Sequence, residues 1–228
     1  MTPCNPLVAL GRLRRDAPKT VAGFRRWRAI IDSDGAIAAP IKRLFVACAA
    51  TVKGYEDMAL RELAAARDAG LSEAQAGAAV AILSSVRGEG AALRFHRLFD
   101  QVYPDAVDPD MPDEDMTVEP GAAEANFLHY FGTMPPSLGK LFDLVPAGAD
   151  AYYLMREGTL AGTALGPVNA ELLLVTVLVA DYSDWSKVHM QGARKAGASE
   201  EAVAEAVICA VPTAGLSAWV IGATAMDA

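Results

Sequence analysis

The stretch ELLLVTVLVADYSDWSKVHMQGARKAGASEEAVAEAVICAVPTAGLSAW, residues 171–219, decides the fold. It opens on an unbroken apolar run, Leu172 to Ala180. A segment from Tyr182 to Ala196 follows, in which Tyr182, Trp185, Ser186, His189, Met190 and Ala193 recur at helical spacing. Gly197 stands where a left-handed residue stops a helix, and Ser199 is the natural N-cap of the next one. A Val-rich run of this length could also be a buried strand. The matching run upstream, LFVACAATVK, is Ala-rich, so both are read as buried helices.

Slid against itself, the chain repeats without gaps at an offset of 127 residues. Tyr55 falls on Tyr182, Asp57 on Asp184, Ala69-Gly70 on Ala196-Gly197, Ser72-Glu73 on Ser199-Glu200, and Gly88 on Gly215. A period this long predicts two domain-sized copies of one all-α unit, related by a pseudo-twofold axis. The copies are expected at residues 1–103 and 126–228. Between them lies PDAVDPDMPDEDMTVEPGAAEA, residues 104–125, an acidic, Pro-rich linker or loosely packed arm. Each copy holds a helical hairpin with a Gly-x-Ser turn. In copy one, Ser72 and Gln75 form a capping-box pattern.

Composition excludes several function classes. The net charge of −8 and pI near 4.9 oppose nucleic-acid binding, which needs a basic face to displace counterions from phosphate. The run from Leu172 to Ala180 is too short to span a bilayer, and no segment resembles a signal peptide. Cys4, Cys48 and Cys209 are odd in number and far apart, with no CxxC or metal spacing, so neither a disulfide framework nor a thiolate metal site is expected. A cytoplasmic location fits these features best. The amino-terminal Arg12, Arg14, Arg15, Lys19, Arg25, Arg26 and Arg28 ordinarily form a solvated helix face. The sharper reading makes them an anchor for a carboxylate ligand or for an acidic linker.

The candidate chemistry centres on His189. The spacing of 182, 185 and 189 predicts that it points inward beside two aromatic rings. A histidine so placed is either a satisfied core residue or a proton-transfer group. Its copy-one counterpart is Glu62, also on an inward stripe behind Tyr55 and Met58. An inward carboxylate needs a partner, either as part of a site or in a salt bridge with an arginine across a subunit interface. Asp57 and Asp184 fall in predicted first helical turns, where the dipole accounts for them. His96 and His129 have no metal-ligand spacing, so no metal is expected. There is no glycine-rich phosphate loop and no Ser-His-Asp signature.

The hairpin resembles the carboxymuconolactone decarboxylase and alkylhydroperoxidase-D superfamily. The likeness lies in an apolar helix opening at Glu171-Leu172, a histidine eight residues before Gly197, an acidic-capped helix after it, and the tail ICAVPTAG. Copy one resembles the same pattern more weakly. The resemblance implies an all-α fold in rings of six units, which a duplicated chain would reach as a homotrimer. The peroxidase branch carries cysteines seven and four residues before its histidine. Tyr182 and Trp185 stand there in this chain, and Tyr55 and Met58 in copy one, so a thiol peroxidase cycle is disfavoured. That branch also places a proton-relay glutamate close to Glu171, with Ala170 in the adjacent register. The decarboxylase branch keeps the histidine without the cysteines and needs no cofactor. The resemblance therefore implies a cofactor-free lyase or isomerase acting on a small carboxylated lactone or oxo-acid. His189 would be the acid/base, with Tyr182, Trp185, Glu62 and Tyr55 at the substrate, Glu171 as relay and an arginine on the carboxylate. The other reading is a non-catalytic oligomeric binding or scaffold protein of the same fold.

Overall fold

The computed structural model describes residues 5–106 and 116–227, which form helices and no strands. The first group is α1 (Pro6–Ala9), α2 (Gly11–Asp16), α3 (Pro18–Asp32), α4 (Ala39–Val52), α5 (Glu56–Asp68), α6 (Glu73–Arg87) and α7 (Glu89–Val102). The second is α8 (Ala122–Phe131), α9 (Pro136–Leu144), α10 (Pro146–Leu160), α11 (Gly166–Ala180), α12 (Ser186–Lys195), α13 (Glu200–Ala214) and α14 (Leu216–Met226). The all-α expectation holds, and the Val-rich run is helical. Of the acidic segment 104–125, residues 107–115 lie outside the described residues and 122–125 already belong to α8.

Local physics explains the repeated hairpin. Gly70 and Gly197 take φ +102° and +104°, a region costly for residues with a Cβ. In both places the chain closes the same way, Leu71 N–H donating to the Ala66 carbonyl and Ala198 N–H to the Ala193 carbonyl, at 2.9 and 2.8 Å. Ser72 and Ser199 then cap α6 and α13 by accepting from the N–H three residues on, and Ser72 with Gln75 completes the capping box. Helix bounds follow the 127-residue offset: α6 and α13 coincide in full, and α3, α4 and α7 begin within one residue of the positions α10, α11 and α14 dictate. α12 departs from the pattern by starting at Ser186, three residues later than α5 would place it.

The core lies where α4, α11 and α13 meet, and α4 packs against both of the others. Along α11 every residue from Ala170 to Ala180 is buried, which is why its sequence shows no polar stripe. Each fully buried Leu or Val there contributes about 1.5–3 kcal/mol relative to exposure. One apolar cluster runs from Ile31 through Leu173 to Ala218, drawing on both expected copies. A smaller cluster under α8, α9 and α10 holds Ala123, Phe127 and Leu138. Glu205 of α13 joins the two parts of the chain: it accepts from Lys42 Nζ at 3.1 Å and from the backbone N–H groups of Ala36 and Ile37. Asp181 does likewise, pairing with Lys53 and Arg87.

Candidate functional site

α11 carries a single acidic residue into its buried stretch, Glu171, whose side chain is 3% exposed. A carboxylate so enclosed requires compensation, and both of its oxygens have it. Nδ1 of His189, on α12, lies 2.7 Å from Oε2. The phenol of Tyr130, on α8, donates to Oε1 at 2.9 Å. With the proton of this contact on Nδ1, the carboxylate accepts and Nε2 is the nitrogen able to take or give another. His189 keeps 23% of its side chain exposed, so its ring is not sealed in the core.

Tyr130 is itself held on several sides. The Arg156 guanidinium of α10 lies 3.6 Å from its ring centroid, a cation–π arrangement, and Lys195 Nζ donates to its backbone carbonyl at 2.5 Å. Burial, then the negative charge and hydrogen bond of Glu171, push the phenol pKa up, against the opposing influence of Arg156. It therefore stays protonated, as a donor. Arg156 also donates to Asn126 Oδ1 at 3.3 Å, and Asn126 donates to Glu157 at 2.8 Å. Gly192 lets these groups converge, because a Cβ there would overlap the Tyr130 hydroxyl and the Glu171 carboxylate.

Beside this network opens a cleft of about 350 Å³, lined among others by Tyr130, Arg156, Glu157, Glu171, Gly192 and Lys195. The volume suits a small organic molecule, and the lining includes two cations, Arg156 and Lys195, beside the carboxylates Glu157 and Glu171. His189 is not itself among the lining residues; its link to the cleft is the contact with Glu171, which is.

The structure thus brings together His189 and Glu171 and separates the other sequence candidates from them. Tyr182 and Trp185 are 44% and 62% exposed and neither lines the cleft. The expectation that they flank His189 on one helical face is corrected by the late start of α12. Tyr182 lies in the preceding turn with φ +57° and donates to the Ala214 carbonyl, and Trp185 is the N-cap. Asp184 lies in the same turn, not in a first helical turn. Tyr55 is likewise an exposed N-cap, of α5. Glu62 is buried as expected, but its partners are Arg28 at 2.9 Å and Arg61 at 3.4 Å within its own chain. Of the basic amino-terminal residues only Arg28 is buried; Arg12, Arg14, Arg15, Lys19, Arg25 and Arg26 are exposed.

Tyr130, Arg156 and Lys195 were not singled out from sequence. Tyr130 belongs to α8, which falls outside the helices paired by the 127-residue offset, and Arg156 falls opposite Ala29. Only proximity in space identifies them. Cys48 and Cys209 are buried free thiols whose pKa values burial raises, the opposite of an activated nucleophile.

No curated protein matches the chain. Residues 146–228, which carry α10 to α14 and with them Glu171, His189 and Arg156, match the model of the carboxymuconolactone decarboxylase family. The match spans 83 of the 228 residues and supports membership of the carboxymuconolactone decarboxylase and alkylhydroperoxidase-D-like superfamily through this carboxyl-terminal part.

Proposed function

We propose that the chain is a cofactor-free lyase or isomerase of the carboxymuconolactone decarboxylase type, acting on a small carboxylated lactone or related oxo-acid. The observation that carries this reading is the 2.7 Å contact between Glu171 and His189 at the wall of an open cleft. A histidine paired with a buried carboxylate can hold a proton at one nitrogen and exchange another at the second. In a decarboxylation, the bond to the departing CO₂ breaks and its electron pair passes into the neighbouring conjugated carbonyl. A proton must then be returned to carbon. His189 supplies that proton, with Glu171 as its relay, and Tyr130 holds the second carboxylate oxygen. Arg156 and Lys195 line the same cleft and complement a substrate carboxylate.

The pairing of α3–α7 with α10–α14 at one offset supports descent from a duplicated unit in which the second copy retains the histidine. Tyr182 and Trp185 in place of the two cysteines weigh against a thiol peroxidase. The test is turnover of γ-carboxymuconolactone and related acids by wild type and His189→Ala, with circular dichroism to confirm that the variant folds. The expected result is wild-type turnover that falls about 10²–10⁴-fold in the variant. Absence of wild-type turnover across that class, or equal turnover by the variant, overturns the reading and leaves a binding or scaffold role.

A further inference from the structure

At the copy-one position matching the His189 cleft, the structure holds a different kind of cavity. Glu62 and Ala65 stand 127 residues before His189 and Gly192, and they line a space of about 60 Å³ together with Asn5, Arg28, Asp32, Arg43 and Arg61. The arginine side chains of α3 and α4 are almost enclosed, Arg28 and Arg43 each being 9% exposed. Arg28 uses one nitrogen, Nη2, for both Asp32 at 2.8 Å and Glu62 at 2.9 Å. Arg43 uses Nη2 for Asp32 at 3.0 Å, and Arg61 reaches Glu62 at 3.4 Å. Arg28 Nη1 and Arg43 Nε are buried and have no hydrogen-bond partner among the described residues.

We infer that this cavity is a binding site for a small monovalent oxyanion of the carboxylate type, separate from the His189 cleft. Three guanidinium groups face two carboxylates, which leaves one positive charge uncompensated. Two of the guanidinium groups keep an unused, buried N–H. The surplus charge falls to Arg61, which is 28% exposed and partly solvated, and the buried deficit is the lack of acceptors for the two unused N–H groups, which is costly. An anion with planar oxygen atoms supplies those acceptors and offsets the surplus charge, since guanidinium N–H groups match carboxylate oxygens in geometry. The volume limits the ligand to formate-sized ions or the carboxylate end of a slender acid. Because Arg28, Arg43 and Arg61 come from α3, α4 and α5, the bound anion fastens α3 onto the hairpin.

The test is thermal unfolding of the full chain in sodium formate against sodium isethionate at equal ionic strength, the latter being too bulky for the cavity. Formate at about five times its Kd should raise Tm by about 2–4 °C beyond isethionate. Arg43→Gln, which removes one positive charge and an unused donor, should abolish the increment whatever its own Tm, as should Arg61→Gln on the open side. Arg156→Gln should leave the increment intact. Equal shifts in the two salts, or an increment surviving Arg43→Gln, overturn the inference. An increment lost in Arg156→Gln places the anion in the His189 cleft and overturns it equally.

Discussion

Gly192 packs against Tyr130 with no room between them for a side chain, and the same missing methyl keeps the Glu171 carboxylate within reach of the phenol. The position lies inside α12, where glycine is a poor helix former. Its presence is explained by what converges on it. Gly192→Ala should therefore destabilise the protein, although alanine favours helix, because the inserted methyl displaces Tyr130 or Glu171. The expected cost is about 1–3 kcal/mol. Denaturant unfolding measures it, and a more stable variant would show that Tyr130 and Glu171 yield freely.

The raised pKa of the Tyr130 phenol gives the protein an alkaline signature. The folded value lies above the ordinary 10.0, so the folded state holds the proton more firmly than the unfolded chain. Stability from this group is full below pH 10 and declines as pH rises toward the folded pKa. Tyr103, pushed up chiefly by burial, acts in the same direction. Tyr130→Phe should remove tyrosinate absorbance from the late alkaline part of the titration and flatten the loss of stability above pH 10. At neutral pH it should cost about 1–3 kcal/mol, since Glu171 Oε1 loses its donor inside the protein. An unchanged alkaline titration would contradict the placement of Tyr130.

Legibility in the sequence followed the range of the physics involved. The Gly70 and Gly197 stops and the Ser72 and Ser199 caps are local devices, and they stand where the pattern predicts. α11 was recognisable from apolar length and from its Ala-rich counterpart. The Tyr182–Trp185–His189 stripe failed because helical spacing was extended across a turn, and nothing in DYSDW marks the turn as strongly as a glycine would. Glu171 could be proposed as a relay only through resemblance, because one residue of register separates it from Ala170; its contact with His189 is a tertiary fact. Arg156 and Tyr130 arrive from α10 and α8 and carry no sequence signal toward that pair. Glu62 was legible as an inward carboxylate needing a cation, but spacing cannot name Arg28, 34 residues away, as the partner.

The tie between Lys42 and Glu205 makes a further prediction about how the two parts of the chain cohere. The Lys42 side chain is 1% exposed, and its ammonium donates to the Ile30 carbonyl at 2.8 Å as well as to Glu205. Glu205 is also the acceptor for the Ala36 and Ile37 N–H groups, and Gly35 leaves the space its carboxylate fills. Removing the carboxylate strands a buried ammonium and two backbone donors together. Glu205→Ala should cost about 3–5 kcal/mol, the range for breaking one side of a buried ion pair. Lys42→Met in the Glu205→Ala background should recover part of that loss, because the uncompensated charge disappears while the backbone donors stay unpaired. Chemical denaturation of the two single variants and the double variant closes the cycle. A double variant no more stable than Glu205→Ala would mean that the Lys42 charge finds compensation without Glu205, and that the main contribution of Glu205 is to the loop between α3 and α4.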